Sequence, residues 1–375
     1  MKNINQAIEN ALRDQRFRDY LYGKFGRFHM LERDALIAVF ERYTQRQLQI
    51  ADSSQALICQ DINQDILKLA LDEIDADTRI REARSESFRE ELEDACDIIP
   101  EEEFDRERLK VNGRLVVYDN FRKFVPPDIM TTLRELHVKG NFEMSLLLML
   151  LELERTGASS QQWSMPSDWF KARFEQFPGF AIIGFSSPLN VSRAYKAYTD
   201  LHLDGDTSSG FKFFSVNESD KLFGSQGKFS SQKCIEMIQE QQAKSDSGVL
   251  ITINPPFIEG ILTDAASSTI EIMKTFEDSD QTVTILFTGP GWSDAEYVQI
   301  LDSAKCAGLV KKIMASQFHR YEDSNKEFKK SAIIAKAKKG SYLYALSNKL
   351  LPFNIDVTSG YEIPNKTSRA RKRGR

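Results

Sequence analysis

The chain has 375 residues and a formal net charge of −5, and at about 150 residues per domain it is long enough for two domains. Its apolar share of 41% and charged share of 28% are those of a globular protein, which excludes a wholly disordered chain. Only four cysteines and no apolar segment at the start exclude a disulfide-stapled fold and predict an intracellular protein in a reduced compartment.

The first hundred residues are rich in helix-forming residues with apolar positions three and four apart. This spacing is clearest over residues 31–43 and 62–71, and it predicts a helical bundle. An acidic stretch follows over residues 90–103, in which Pro100 ends a helix. We interpret this stretch as a solvated boundary.

A hairpin and two helices are predicted next. Asn112-Gly113 lies between alternating apolar residues, which is a strong signal for a two-residue hairpin turn. Residues 127–138 and 142–154 have helical spacing, and a polar linker at 157–160 places a domain boundary near residue 155. The apolar run at 144–153 is too short to span a bilayer, so the sequence predicts a soluble protein without a membrane partner.

After residue 160, helical segments alternate with short apolar runs. The predicted helices cover residues 168–176, 231–242 and 264–276. The apolar runs cover residues 179–185, 250–253, 282–287, 331–335 and 342–346. Buried strands that alternate with helices are typical of an α/β sheet with helices on both faces.

The C-terminal part is basic. Residues 305–375 contain 17 Lys and Arg against 5 Asp and Glu, a net charge of +12, which leaves −17 on residues 1–304. Such a split indicates a partner that carries phosphates, but a solvated basic tail explains it equally well. The last residues lack apolar anchors, which predicts a disordered tail. The cluster at 371–373 favours nuclear import, and the same charges would serve a cytoplasmic RNA binder.

The loop Asn254-Pro255-Pro256-Phe257 follows the apolar run at 250–253, in the position where open α/β sheets place their ligands. An amine conjugated to a ring is a poor nucleophile until two acceptors aimed at its hydrogens make it pyramidal. The Asn254 side-chain oxygen and the Pro255 carbonyl are such acceptors, and Phe257 is suited to stack on the ring. These residue types favour methylation of a planar nitrogen, although a simple turn after the strand explains the same four residues.

Several motifs together resemble the catalytic domain of the phosphorylated C-terminal-domain-interacting factor family. The resemblance covers roughly residues 105–346 and includes shorter matches at 111–114, 146–153, 287–292 and 319–321. Its three main motifs are Phe185-Ser186-Ser187-Pro188-Leu189-Asn190, Leu222-Phe223-Gly224-Ser225-Gln226-Gly227-Lys228-Phe229 and Asn254-Pro255-Pro256-Phe257-Ile258-Glu259.

The resemblance implies a fold and an activity. It implies a Rossmann-like class I methyltransferase domain at 156–348, preceded by an α-helical accessory domain at 1–155 and followed by a basic, disordered tail at 349–375. The implied activity is methyl transfer from S-adenosylmethionine to the N6 amine of the cap-adjacent adenosine in messenger RNA. A catalytically silent RNA-binding scaffold and a methyltransferase for DNA or internal RNA adenine stay open as alternatives. No WW module is recognised in the sequence, and contact with the transcription machinery stays open as an alternative.

The cofactor is expected to lie beside the first strand of the sheet, where the usual glycine-rich loop is absent. The residues predicted to bind it are Phe185, Ser187, Pro188, Asn190, Phe223, Gly224 and Asn254. Small serines allow close approach, and Asn190 is suited to bond the amino-acid end of the cofactor. An ordinary helix N-cap, with Ser187 capping and Pro188 in the first position, explains the same letters.

The catalytic residues are predicted to be Asn254, Pro255, Pro256 and Phe257. Contacts with the RNA substrate are predicted for Phe257, Glu259, Trp292, His319 and Lys330. For His319 a surface position, and for the lysines near residue 330 a solvated charge, are the alternatives. The four histidines and four cysteines lack the spacing of metal ligands, so no metal site is predicted.

Overall fold

A computed structural model describes residues 4–25, 103–155, 163–202, 210–215, 217–244, 247–257, 259–314, 321–323, 340–351 and 356–360. The chain divides into two compact units. The first comprises Met1–Met130, His137–Ala158 and Asn217–Phe223, and the second comprises Thr131–Leu136, Ser159–Val216 and Gly224–Arg375. The predicted domain limits at residues 155 and 348 stay a prediction.

The first unit combines helices with a small antiparallel sheet. Its strands, in the order β1-β2-β3, are β1 (Lys110–Asn112), β2 (Leu115–Tyr118) and β3 (Phe121–Phe124). The predicted hairpin is confirmed, because Asn112 pairs with Leu115 and Gly113 adopts φ +60° in the turn between them. The helices are α1 (Ile4–Phe25), α2 (Pro127–Leu136, which continues into the second unit), α3 (Phe142–Arg155) and a 3-10 helix at Glu218–Phe223.

Helix α3 is the core of the first unit. Its apolar residues from Leu146 to Leu151 are almost completely buried, on every side of the helix, and α1 packs against it. A helix that is apolar all round is stable only when it is enclosed by other elements. This enclosure accounts for the long apolar run in the sequence. Among the described residues, none of the helices combines the length and the hydropathy that crossing a bilayer requires.

The second unit consists of helices around a sheet. Its helices are α4 (Ser167–Gln176), α5 (Pro188–Leu201), α6 (Ser231–Gln242), α7 (Glu259–Thr275) and α8 (Glu296–Asp302). The strands of its main sheet are β5 (Phe180–Gly184), β6 (Phe211–Phe213), β7 (Val249–Ile253), β8 (Val283–Pro290), β9 (Gly308–Met314) and β11 (Ser341–Ser347). Strands β4 (Trp163–Ser164) and β10 (Glu322–Asp323) pair separately.

The main sheet has the strand order β6-β5-β7-β8-β11-β9. Strands β6, β5, β7 and β8 are parallel, whereas β11 runs antiparallel to both β8 and β9. Strands β5, β7, β8 and β11 are buried along their whole length, as expected for a sheet covered on both faces. The predicted α/β class is thereby confirmed as a mixed, mostly parallel six-stranded sheet.

The sheet contains a topological switch point between β5 and β7. From β5 the chain moves outward to β6, and it then returns to the other side of β5 to form β7 and β8. Connections on opposite sides of the sheet leave a crevice at the carboxyl ends of the two strands at the switch. The residues that follow Gly184 and Ile253 therefore lie beside this crevice.

Most predicted elements of the second unit are confirmed, with small shifts at their ends. Helix α6 has the predicted limits, and the predicted strand at 342–346 is β11. Helix α7 begins at Glu259 instead of the predicted residue 264, and β8 continues to Pro290 instead of ending at 287. The strand predicted at 331–335, most of the predicted N-terminal bundle and the terminal basic cluster lie outside the described residues.

Gly179 precedes β5 and lies close to the backbone of Gly248. It adopts φ +142°, and a Cβ at this position would lie 2.4 Å from the carbonyl oxygen of Gly248. That carbonyl also accepts a hydrogen bond of 3.1 Å from the backbone N–H of Phe180, which holds it in place. We expect Gly179→Ala to lower the free energy of unfolding by about 2–4 kcal/mol, through backbone strain and overlap with a fixed neighbour.

Gly248→Ala is the matched control, measured by the same urea unfolding experiment. Its Cβ would lie 3.5 Å from the Thr282 carbonyl oxygen, which is ordinary van der Waals contact, and its φ is not positive. We expect a change within about 0.5 kcal/mol for this variant. Equal unfolding midpoints for the two variants would show that the entry to β5 tolerates a side chain.

Candidate functional site

The loop Asn254–Phe257 begins at the carboxyl end of β7. Strand β7 ends at Ile253 and helix α7 begins at Glu259, so the loop occupies the strand-to-helix connection beside the switch point. Pro255 is buried, whereas Asn254, Pro256 and Phe257 are half-buried. The side-chain oxygen of Asn254 is shielded from solvent. The structure therefore places the start of the predicted catalytic loop, at Asn254, beside the crevice that the sheet topology creates.

The chain turns sharply after β5, on the opposite side of the switch point. Phe185 adopts φ +58°, in the left-handed region that bulky residues rarely occupy. The backbone N–H of the next residue, Ser186, donates to the carbonyl of Phe214 at 2.8 Å, and the Phe185 ring packs 4.9 Å from that of Phe229. These contacts hold the strained residue in place, and strained backbone of this kind is often found at ligand sites.

Helix α5 starts immediately after this turn. The Ser187 hydroxyl accepts a hydrogen bond of 3.4 Å from the Asn190 N–H, and Pro188 occupies the first turn of the helix. The N-cap interpretation of these residues is therefore confirmed. The capping bond uses the Ser187 hydroxyl for the helix, and the role of Ser187 and Pro188 in cofactor binding stays a prediction.

A cleft lies between the two loops, within the second unit. Three of the predicted cofactor residues line it, namely Phe185, Asn190 and Asn254. Its other lining residues are Ser164, Met165, Trp169, Phe170, Ile183, Gly184, Ser186, Thr252, Ile253, Leu286 and Thr288. All of these side chains are uncharged, so a ligand here is held by neutral hydrogen-bonding groups and apolar contacts. The enclosed volume is about 20 Å³, so a ligand larger than water extends through the mouth of the cleft.

Several lining residues were absent from the prediction. Thr252 and Thr288 lie near the carboxyl ends of β7 and β8, and a rule that polar residues at these ends face the ligand would have identified them. Trp169 is a core residue with an exposure of only 1%. It also contributes to the wall of the cleft, which sequence spacing alone does not reveal.

The predicted cofactor residues Phe223 and Gly224 fall in different units. The Phe223 side chain is completely buried in the first unit, where its ring lies 5.6 Å from that of His137 and 6.4 Å from that of Phe142. Burial also lowers the pKa of His137. Gly224 adopts φ +86°, and its carbonyl accepts a hydrogen bond from the Gln226 side chain. Because the Phe223 side chain is completely buried, its position gives no support to stacking on adenine.

Phe257 is supported by a buried tyrosine. The Phe257 and Tyr321 rings meet edge to face, with centroids 5.7 Å apart and an interplanar angle of 80°. The Tyr321 side chain is completely buried, and its hydroxyl shares a hydrogen bond of 2.7 Å with the Ser341 hydroxyl at the start of β11. Tyr321, the third residue of the 319–321 motif, therefore holds Phe257 in place.

The end of β8 is held by Tyr297. Its hydroxyl donates to the carbonyl of Pro290, and its ring stacks on Phe287 at 5.8 Å. Burial and the nearby Tyr321 and Tyr342 hydroxyls raise the pKa of Tyr297 well above its ordinary value, so this hydroxyl stays a donor at neutral pH. A Cβ on Gly289 would lie 2.8 Å from the Tyr297 ring, which shows how closely the helix and strand approach.

The predicted substrate residues are spread over several elements of the second unit. Trp292 is half-buried against the core of this unit, in the turn that follows β8. Glu259 is exposed as the first residue of α7. His319 and Lys330 lie outside the described residues. Neither Trp292 nor Glu259 lines the cleft, and their contacts with a substrate stay predictions.

The cleft combines polar and apolar groups. The carbonyl and hydroxyl groups at the ends of β5, β7 and β8 provide acceptors and donors, and Phe185, Trp169 and Phe170 provide apolar contacts. Asn190 is almost completely buried, yet it is part of the cleft wall, which suits a group that bonds a polar ligand.

Comparison with known proteins identifies one sequence family. Its sequence model, described as "Phosphorylated CTD interacting factor 1 WW domain", matches residues 134–324, which is just over half of the chain. The description names a WW domain, whereas the matched residues described by the structure form helices and include five of the six strands of the main sheet. The matched segment includes the loop Asn254–Phe257. No curated protein matches the chain.

Nine chains of solved structures also match. One belongs to the cryo-EM structure of a DrdV–DNA complex and shares 10% sequence identity with this chain. The match covers 95% of this chain and 42% of that chain, with a TM-score of 0.33. This chain therefore spans less than half of that protein's length. A TM-score this low does not support a transfer of fold or function.

Proposed function

Because the chain belongs to the family described as "Phosphorylated CTD interacting factor 1 WW domain", we propose that it is an S-adenosylmethionine-dependent methyltransferase that acts on the N6 amine of adenosine in RNA. The target is the cap-adjacent adenosine of messenger RNA. The main sheet is of the Rossmann-like class I type. RNA is the partner, and the site of action is the nucleus.

The observation that carries this proposal is the position of Asn254. The residue lies at the carboxyl end of β7, lines the cleft, and begins the loop that contains Pro255 and Phe257. Asn190 reaches the same cleft from the other side of the switch point. An acceptor for an amine and a polar group for a second ligand therefore converge on one cleft, as a transfer between two bound molecules requires.

Residues of the loop make the target amine nucleophilic. The Asn254 side-chain oxygen and the Pro255 carbonyl accept hydrogen bonds from the two amine hydrogens, which returns the lone pair from the ring to the nitrogen. Phe257 stacks on the base, which has to leave its neighbours in the strand to reach the loop. When bound, S-adenosylmethionine supplies an electrophilic methyl group on a sulfonium, so the transfer requires no strong base. Phe185, Ser186, Asn190 and Thr252 would hold this cofactor.

Two measurements test the proposal. Calorimetric titration with S-adenosylmethionine should show binding to a single site on the folded protein. Methyl transfer should then be compared on matched RNA oligonucleotides that carry adenosine at the first position, with and without a methylguanosine cap. We expect preferred turnover of the capped RNA. Equal turnover of both would remove the cap from the proposal, and a lack of any transfer despite cofactor binding would remove the reaction.

A catalytically silent RNA-binding scaffold is the second candidate. It is favoured by one observation, namely the small enclosed volume of the cleft, about 20 Å³. A scaffold of this kind would bind RNA but would give no heat on titration with S-adenosylmethionine. The titration therefore separates the two functions before any activity is measured.

A further inference from the structure

A short segment near the C-terminus packs against helix α4. The segment is residues 356–360, which lie in the tail predicted to be disordered and which the structure instead packs; we call it the C-terminal strap. The Trp169 indole N–H donates a hydrogen bond of 2.9 Å to the carbonyl of Val357, and this contact is buried. Val357 itself is 1% exposed. The strap therefore reaches a tryptophan that lies 188 positions earlier in the chain.

The strap and the helix are in such close contact that a side chain would not fit between them. Gly360 adopts φ +78°, and a Cβ on it would lie 2.5 Å from the carbonyl carbon of Asp168 and 2.6 Å from the amide nitrogen of Trp169. Both of these are backbone atoms, which cannot move away from the added Cβ as the end of a flexible side chain can. Glycine at this position is therefore a condition for the strap to stay in place.

Helix α4 and the strap also interact electrostatically. Arg173 is completely buried on α4, and its guanidinium lies 5.6 Å from the ring of Trp169. Within the described part of the chain, none of its three guanidinium nitrogens has a hydrogen-bond partner. Burial lowers the pKa of Arg173 to about 10, and the attraction of Asp356 on the strap opposes this change. The group is charged at neutral pH, so Asp356 and the indole face offset its burial.

Trp169 connects this contact to the functional site. It lines the same cleft as Ser186, Asn190 and Asn254, so the residue to which the strap bonds is also part of the wall of the cleft. We infer that the C-terminal strap is a positioning element of the cleft: it fixes Trp169 and thereby sets the affinity for the adenosine-containing cofactor. This inference rests on the proposed function, since it takes the occupant of the cleft to be S-adenosylmethionine.

Gly360→Ala tests the inference in the full-length protein. The added Cβ should displace the strap, weaken binding of S-adenosylmethionine by about tenfold, equivalent to about 1.4 kcal/mol, and red-shift the emission of Trp169. The emission is measured in a background with Trp163→Phe and Trp292→Phe, so that Trp169 is the only tryptophan; affinity is measured by calorimetry with the native tryptophans.

Gly140→Ala is the matched control. Gly140 also has a positive φ, +88°, but a Cβ added to it would meet no atom within 4 Å. It therefore carries the backbone strain of the substitution without the steric overlap. We expect its cofactor affinity and Trp169 emission to equal those of the unaltered protein. The inference is overturned if Gly360→Ala matches this control in either measurement.

Asp356→Asn provides a second variant in case Gly360→Ala fails to fold. It keeps the size of the side chain and removes the charge that faces Arg173, so a weaker but parallel change in affinity and emission is expected. No change in either quantity would overturn the inference. A failure of the proposed function is detected separately, because the unaltered protein would then not bind S-adenosylmethionine. The emission of Trp169 would still report whether the strap fixes this side chain.

Discussion

Asn254→Ala should lower the turnover of methyl transfer by about 100-fold or more, by analogy with the loss of one preorganised group at a developing charge. The substitution removes an acceptor for the amine hydrogens, and without it the lone pair stays delocalised into the ring. The affinity for S-adenosylmethionine should hardly change, because Asn254 acts mainly on the base. Turnover is measured on capped RNA with saturating cofactor, and affinity by calorimetry.

Asn254→Asp is the matched control for this experiment. It keeps an oxygen at the position of the acceptor and replaces only the amide nitrogen, so it should retain more turnover than Asn254→Ala. Asn254 is half-buried and begins a loop between a strand and a helix, so the unfolding midpoint of each variant has to be measured as well. Near-normal turnover of a folded Asn254→Ala would show that the loop is only a turn and that the chemistry lies elsewhere.

The strands at the centre of the sheet were predictable because burial on both faces leaves a continuous apolar sequence. Strands β5, β7 and β11 are of this kind. Strand β9 was missed because it carries Lys311 and Lys312 at the edge of the sheet, where the apolar run is interrupted. Strand β6, with three residues around Lys212, is too short to give a periodic signal. Edge strands are therefore the part of this fold that local sequence specifies least.

The site was predictable where the function depends on residues close together in sequence. Asn254 to Phe257 follow a recognisable strand, and Asn254, the first of them, lines the cleft. Trp169 and Thr288 come from other elements, and only the packing of helix α4 and the register of β8 bring them to the cleft. Phe223 shows the opposite case: an aromatic residue in a glycine-containing motif is enclosed in the core of the first unit.

Phe257→Ala should weaken productive binding of the target base. The stacking of one base on an aromatic side chain contributes about 1–3 kcal/mol, which corresponds to a loss of about 5-fold to 150-fold in kcat/KM. The effect should appear in the KM for RNA as well as in kcat, in contrast to that of Asn254→Ala. The affinity for S-adenosylmethionine should be unchanged, because Phe257 does not line the cleft.

Two further substitutions separate stacking from packing at this position. Phe257→Leu keeps the apolar bulk against Tyr321 but has no ring, so it should lose most of the activity that Phe257→Ala loses while it retains more stability. Phe257→Trp keeps a larger stacking surface and should restore binding of RNA. If Phe257→Leu is as active as the unaltered protein, the ring serves only to pack against Tyr321. A graded order from Trp and Phe to Leu and Ala instead identifies Phe257 as the surface on which the base lies, because only stacking distinguishes an aromatic side chain from an aliphatic one of similar size.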